Sequence, residues 1–143
     1  MATEFRYPAG VGHDTLIREE SDENFAKLTV DFTREKPIYV GYAVKLGNRD
    51  WTWHYDNNKV ISFYVHASSE IKRIILEVKG EGKSIISKKP LNIASTGRVH
   101  KFKLKDLSDF SYEFSKMSEL VFLFTAENVD GKGTVEISNL KIS

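Results

Sequence analysis

Three aromatic residues occupy alternate positions in the stretch "NRDWTWHYDNN" (48–58): Trp51, Trp53 and Tyr55. In an extended chain, side chains two residues apart point to the same side, so this spacing would allow a row of three rings. Flat rings with polar tips suit the apolar faces and the hydroxyl groups of sugars. The same row would also serve as the plug of a hydrophobic core, and the spacing alone supports both interpretations.

Further tyrosines are predicted to lie outside the core. In its segment Tyr39 has the same parity, meaning the same side of an alternating strand, as Gly41 and Ala43, and the larger apolar residues occupy the other side. Tyr64 points outward in a similar segment, and Tyr112 lies in a stretch without alternation. As a set these rings could form a binding face; taken singly, each could instead cover a sheet edge.

Residues for catalysis form no recognisable group. The histidines His13, His54, His66 and His100 are dispersed, and none is spaced for a metal pair on one strand or helix. We expect His66 at the surface and His100 at the edge of the core. The sequence has no HExxH motif, no glycine-rich phosphate loop and no GxSxG elbow. An enzyme is therefore not expected, and a glycoside hydrolase with unrecognised acids is the less favoured alternative.

The composition predicts a globular chain without a strong electrostatic preference. Its 143 residues favour one domain, 1–143, and its 21 basic and 20 acidic residues give a net charge of +1. That balance predicts no nucleic-acid partner and no membrane partner. Cysteine is absent, which excludes disulfides and thiolate metal sites. The start "MATEFRYPAG" lacks a signal-peptide pattern, so we expect a cytoplasmic protein or a piece of a longer secreted chain.

Alternation of apolar and polar residues predicts many short strands and no long helix. The segment 105–116 does not alternate and is predicted to be a short helical turn and loop. At least eight short strands with glycine-containing turns indicate an all-β fold, an antiparallel β-sandwich of the jelly-roll type. Seven of the predicted strands lie within 25–33, 37–46, 59–67, 71–80, 98–105, 119–126 and 133–143.

Several segments resemble those of β-jelly-roll carbohydrate-binding modules. "RDWTWHYDNNKVISFYVHA" resembles a segment in which an Asp-Trp pair leads into a core strand, and "KFKLKDLSDF" resembles a strand before a Ser-Phe turn. "MSELVFLFTAENVDGKGTVEISNLKIS" resembles their closing strand pair. The similarity covers roughly residues 3–142 and is nearest to family 11, the β-glucan-binding modules of bacterial cellulases and lichenases. The related cellulose- and xyloglucan-binding jelly rolls also fit.

The resemblance implies roles for individual residues. It places Tyr39, in "YVGYAVKL", where the family has an aromatic that stacks on glucan, and Tyr112, in "DFSY", at a ligand-contacting tyrosine. Tyr7 resembles an N-terminal ligand tyrosine of the family. Phe124 and Val121 stand where the family has a tyrosine and a histidine, so two hydrogen-bonding groups are lost.

The same family carries a structural calcium ion held by acids near both termini, and calcium takes about six to eight oxygen ligands. Here "TEFR" replaces an acidic start, and Ser138 in "ISNL" replaces an aspartate, which leaves Glu4. We therefore expect calcium to be absent or bound differently, assign no metal ligands, and expect no other cofactor.

The predicted function is non-catalytic binding of a plant cell-wall polysaccharide, a β-glucan or decorated β-glucan. The module would target a linked glycoside hydrolase in an extracellular bacterial protein, and we expect it to be a monomer. A protein-interaction β-sandwich, whose aromatic residues are interface hot spots, is the main alternative.

Seven residues are predicted to bind the ligand. Tyr39 and Tyr112 would stack on sugar rings, while Trp53 and Tyr55 would be exposed rim residues in an insertion. Trp51, by contrast, is expected to pack against the core. Hydrogen bonds would come from Tyr64, His66 and Arg73.

Overall fold

The computed structural model describes residues 2–7, 12, 14–22, 24–47, 49–93 and 96–143, with the backbone alone at 2–7. Ten strands are found within these ranges. They are β1 (Ala2–Tyr7), β2 (Leu16–Ser21), β3 (Phe25–Asp31), β4 (Tyr39–Lys45), β5 (Val60–Ala67), β6 (Arg73–Lys79), β7 (Ile85–Asn92), β8 (Arg98–Lys103), β9 (Glu119–Thr125) and β10 (Lys132–Ile142).

The strands form two five-stranded sheets. Sheet A has the strand order β1-β4-β9-β6-β7, and sheet B has the order β2-β3-β10-β5-β8. Every strand pair in both sheets is antiparallel. The predicted all-β antiparallel sandwich is confirmed.

The hydrophobic core lies between the two sheets, as the alternation predicts. Phe63 of sheet B meets Phe122 of sheet A edge to face, with ring centroids 5.1 Å apart. Both rings and Phe124 are fully buried, and each such side chain contributes about 1.5–3 kcal/mol to folding. Strand β9 is buried from Glu119 to Phe124, which confirms the prediction of a strand covered on both faces.

Short helices in the connections complete the core. These are α1 (Thr52–Asp56), α2 (Leu104–Leu107) and 3-10 turns at Glu81–Lys83, Ser111–Lys116 and Ala126–Asn128. The turn and loop predicted for 105–116 are confirmed. No helix in the described ranges has the length and apolar character needed to cross a membrane.

The extended row of Trp51, Trp53 and Tyr55 that the spacing would allow does not form, because this segment is helical. Trp51 and Tyr55 are four residues apart, so a helix puts them on one face, and both are buried. The backbone N–H of Trp51 donates to the carbonyl oxygen of Phe114 over 2.9 Å. The packing role predicted for Trp51 is therefore confirmed.

Three strands lack the alternation pattern and were not predicted from it, and all three lie at sheet edges. β1 and β7 border sheet A, and β2 borders sheet B. The sequence of β2, LIREES, buries only Leu16, and β7 contains Pro90, which has no N–H to donate. Charged residues and proline are typical of edge strands, where a regular apolar face is not required.

Candidate functional site

The predicted ligand-binding residues lie on both outer faces of the sandwich and on its helical connections. Tyr39 on β4 and Arg73 on β6 belong to sheet A, whereas Tyr64 and His66 on β5 belong to sheet B. The core separates these two outer faces. The hypothesis that Tyr64 and His66 assist a sugar stacked on Tyr39 is therefore wrong, because β4, which carries Tyr39, and β5, which carries Tyr64 and His66, belong to different sheets.

The outer face of sheet A carries an apolar cluster that is separate from the core. Buried Ala43, Val121 and Leu123 form this cluster together with partly buried Tyr39 and Ile75. On their strands these five residues alternate with the core residues, so their side chains point away from the core. We call this surface the Tyr39 face.

Strand register extends the Tyr39 face across four strands. Gly41 on β4 pairs with Leu123 on β9, Leu123 pairs with Ile75 on β6, and Ile75 pairs with Pro90 on β7. Neighbouring strands are about 4.8 Å apart, so this apolar row spans about 14 Å. Leu123 is 6% exposed, and the parts open to a ligand are Ile75 and Pro90, with Tyr39 in the next row.

Charged groups border one side of the Tyr39 face. The Lys45 ammonium lies 2.9 Å from a carboxylate oxygen of buried Glu119. Buried Glu77 has the ammonium groups of Lys79 and Lys88 at 3.9 and 3.8 Å. Both carboxylates are thus in ion pairs, and neither is an unpaired group placed to act as a catalytic acid or base.

The opposite border of the Tyr39 face is formed by Arg73 and Asn92, which pair across β6 and β7 and are exposed. A guanidinium and an amide are donors suited to hydroxyl groups. The face thus combines an apolar strip and a tyrosine ring with polar groups on both sides. This arrangement can hold a flat molecule with an apolar face and a hydroxylated rim.

The outer face of sheet B holds Tyr64 and His66. The Tyr64 ring passes so close to Gly97 that a Cβ atom at residue 97 would lie 1.5 Å from the Tyr64 hydroxyl oxygen. His66 Nδ1 lies 4.0 Å from a carboxylate oxygen of Glu136, and the His66 side chain is exposed, as predicted.

The helical connections expose some of the predicted rings and bury another. Trp53 is 59% exposed with the Lys59 ammonium 5.3 Å from its ring, and Tyr112 is 69% exposed beside exposed Phe110. The expectation that Tyr55 is an exposed rim residue is wrong. Its ring lies 5.0 Å from that of Phe114, and its hydroxyl donates to the carbonyl oxygen of Ser108 over 2.9 Å.

The described histidines behave as packing and surface groups. Buried His100 stacks on Phe63 with ring centroids 5.6 Å apart, which confirms its predicted place at the core edge. Burial lowers the pKa of His100, and the charge of Arg98 lowers it further. No group of three or more His, Cys, Asp or Glu side chains that could hold a metal ion occurs within the described residues.

Some residues implied by the family resemblance fall elsewhere. Phe124 is fully buried in the core, so it does not stand in a ligand cleft, whereas Val121 does lie on the Tyr39 face. Ser138 pairs with Tyr64 on sheet B. The side chains of Tyr7 and Glu4, and all of His13, lie outside the described residues.

Ile75, Leu123 and Pro90 were not predicted as parts of the site. Ile75 alternates with the core residues Ile74 and Leu76, and an isoleucine on the outward side of a strand is the signal that the sequence offers. Leu123 was hidden within an unbroken apolar run, and Pro90 lies on a strand that the pattern did not reveal.

Comparison with known proteins finds similarity only in three-dimensional structure. No protein-family model matches the chain, and no curated protein matches it. Among solved structures, the family 30 carbohydrate-binding module of a cellulosomal cellulase of Clostridium thermocellum superposes with a TM-score of 0.69 at 15% identity. The match covers 99% of this chain and 90% of that module.

Two other structures extend the comparison. The N-terminal cellulose-binding domain of Cellulomonas fimi β-1,4-glucanase C matches with a TM-score of 0.55 at 8% identity, over 99% of this chain and 87% of that domain. An agarase matches with a TM-score of 0.65 at 14% identity, over 90% of this chain but 23% of the agarase. These similarities establish the fold: the chain is a β-sandwich of the kind found in carbohydrate-binding modules of cellulases.

Proposed function

We propose that this chain is a non-catalytic module that binds a plant cell-wall polysaccharide, a β-glucan or decorated β-glucan, on the Tyr39 face. The observation that carries the proposal is the apolar cluster around Tyr39 on an outward sheet face. Ala43, Val121 and Leu123 are buried in this cluster, and its partly open members, Tyr39 and Ile75, form with exposed Pro90 the apolar surface that supports ligand binding. The cellulase-associated modules that share the fold support a glycan as the partner.

Binding would combine stacking with hydrogen bonds at the borders. The ring of Tyr39 would lie against the apolar face of one sugar, and Ile75 and Pro90 would support the next sugars along the row. Arg73 and Asn92 would donate to sugar hydroxyls. An open surface of this kind needs little reorganisation but buries only one side of the ligand, so modest affinity is expected.

The module would act by holding a linked glycoside hydrolase close to its substrate. Tethering raises the effective concentration of the catalytic domain at the polysaccharide without any new catalytic group. This role implies an extracellular parent protein, and a monomeric module is sufficient for it.

Affinity gel electrophoresis with soluble polysaccharides tests the proposal. We expect β-glucan or xyloglucan in the gel to retard the wild-type chain. Tyr39→Ala should lower the affinity about tenfold, equivalent to about 1.4 kcal/mol, because the stacking ring is removed. Phe110→Ala is the matched control, since it removes an exposed aromatic ring that belongs neither to the Tyr39 face nor to the predicted ligand-binding residues.

The outcomes test separately whether the chain binds polysaccharide and whether the Tyr39 face is where it binds. Absence of retardation by any glucan, xylan, mannan or pectin would refute polysaccharide binding. Retardation that survives Tyr39→Ala would refute the Tyr39 face and leave the function standing. Release of reducing sugar from the polymer would favour the hydrolase alternative.

A second candidate function is assembly with another protein. It is favoured by the exposed pair Phe110 and Tyr112, which are 56% and 69% exposed with ring centroids 5.6 Å apart. Paired exposed aromatics are typical of interface hot spots. Sedimentation velocity over a range of concentrations would test this for self-association, which Phe110→Ala with Tyr112→Ala should abolish.

A further inference from the structure

A cavity of about 720 Å³ opens on the outer face of sheet B, away from the Tyr39 face. We call it the Tyr64 cavity; its lining includes Ser62, Tyr64, Lys101 and Lys141. Its volume is within the range of about 300–1,000 Å³ typical of small-molecule sites. Binding on the Tyr39 face makes no use of it.

A β-bulge in β10 shapes this cavity. Ser138 pairs with Tyr64 and Lys141 pairs with Ser62, so β10 contains one more residue than β5 between these two pairs. In an uninterrupted strand, residues 138 and 141 would point to opposite faces. The bulge, with Asn139 at a left-handed φ of 54°, sets both on the outer face.

Two lysines approach the same point of the cavity from the two strands that flank β5. Ser62 pairs with Lys101 on β8 on one side and with Lys141 on β10 on the other. Strand spacing puts the two lysine Cα atoms about 10 Å apart. Within the described residues, neither ammonium lies within 4 Å of a carboxylate, and the cavity lining contains no Asp or Glu.

The rest of the lining suits a sugar. Ser62, Asn24 and Asn139 offer hydroxyl and amide groups, and the Tyr64 ring lies beside half-exposed Val99. The net charge of +1 gives no long-range field that would attract a nucleic acid. The two cations therefore favour a small anionic group on an otherwise polar ligand.

We propose that the Tyr64 cavity binds an anionic oligosaccharide, with a carboxylate or sulfate group between Lys101 and Lys141 and a sugar ring against Tyr64. The proposal goes beyond the Tyr39 face and does not depend on it. A carboxylate and a sulfate group would both bind between the two lysines, and the experiment uses one polymer of each kind to distinguish them.

The test uses affinity gels that contain polygalacturonate, a sulfated galactan or neutral β-glucan. We expect at least one acidic polymer to retard the wild-type chain, and added salt to weaken this retardation. Lys101→Met with Lys141→Met should lower the affinity for that polymer about tenfold or more, because charge-assisted hydrogen bonds are lost. The polymer that binds identifies the anionic group.

Two control variants make the result specific. Lys103 has the same strand and outward parity as Lys101 but does not line the cavity, so Lys103→Met should change the affinity less than about twofold. Tyr39→Ala should leave acidic-polymer binding unchanged, which keeps this proposal distinct from the β-glucan site. Retardation by neither acidic polymer, or equal weakening by Lys103→Met and the double variant, would overturn the proposal.

Discussion

Buried His100 and partly buried His54 couple the stability of this sandwich to pH. Burial lowers the pKa of His100 and of His54 below the ordinary value of 6.5, and the nearby charges of Arg98, Arg49 and Lys59 lower it further. Unfolding restores the ordinary pKa, so the unfolded chain binds more protons than the folded chain below about pH 6.5. The free energy of unfolding must therefore fall as the pH is lowered through this range.

We predict that the urea midpoint falls between pH 7 and pH 5, measured by tryptophan fluorescence at several pH values. His100→Phe keeps a ring against Phe63 and removes one titrating group, so it should make this fall less steep. An identical pH dependence in His100→Phe and the wild type would contradict this account of His100.

The close approach of the Tyr64 ring leaves no room for a Cβ atom at residue 97 in the native packing. Gly97→Ala would put a methyl group 1.5 Å from the present position of the Tyr64 hydroxyl oxygen, and relieving this clash should cost about 1–3 kcal/mol. Urea unfolding measures the cost. In a Tyr64→Ala background the same substitution should cost less than about 0.5 kcal/mol, because the clashing ring is gone. Equal costs in both backgrounds would show that the ring is not responsible.

At the scale of elements, helix α1 separates a structural tyrosine from an exposed tryptophan two residues away. Tyr55→Phe removes the hydrogen bond to the Ser108 carbonyl, so we predict a loss of about 1 kcal/mol in the free energy of unfolding and no change in polysaccharide retardation. Trp53→Ala should change stability by less than about 0.5 kcal/mol, because the side chain is mostly exposed. Lost retardation with unchanged stability in Tyr55→Phe would restore a ligand role for Tyr55.

Local patterns predicted most strands but not every element. Alternation identified β3, β4 and β5 with the correct buried faces, since a half-buried strand must alternate. The edge strands β2 and β7 lack a regular apolar face and carry no such signal. Aromatics at 51, 53 and 55 fit a strand or a helical turn equally well, and packing of Trp51 and Tyr55 on the core selects the helix.

At the scale of the whole molecule, the sequence could not reveal which residues share a face. Parity correctly placed both Tyr39 and Tyr64 outward, but whether they meet depends on which sheet each strand joins. Sheet membership follows from pairing between distant segments, such as β4 with β9 and β5 with β10. The predicted single set of aromatics is therefore divided between two opposite faces and the helical connections.

Chemical-shift mapping by NMR tests the central claim, binding on the Tyr39 face, most directly. Titration of the isotope-labelled chain with a soluble β-glucan oligosaccharide should shift the backbone amides of β4, β9 and β6, with the largest changes near Tyr39, Gly41, Leu123 and Ile75. Amides of β5 and β8 on sheet B should move little. Shifts confined to sheet B or to α1, with the amides of β4 unchanged, would contradict the claim.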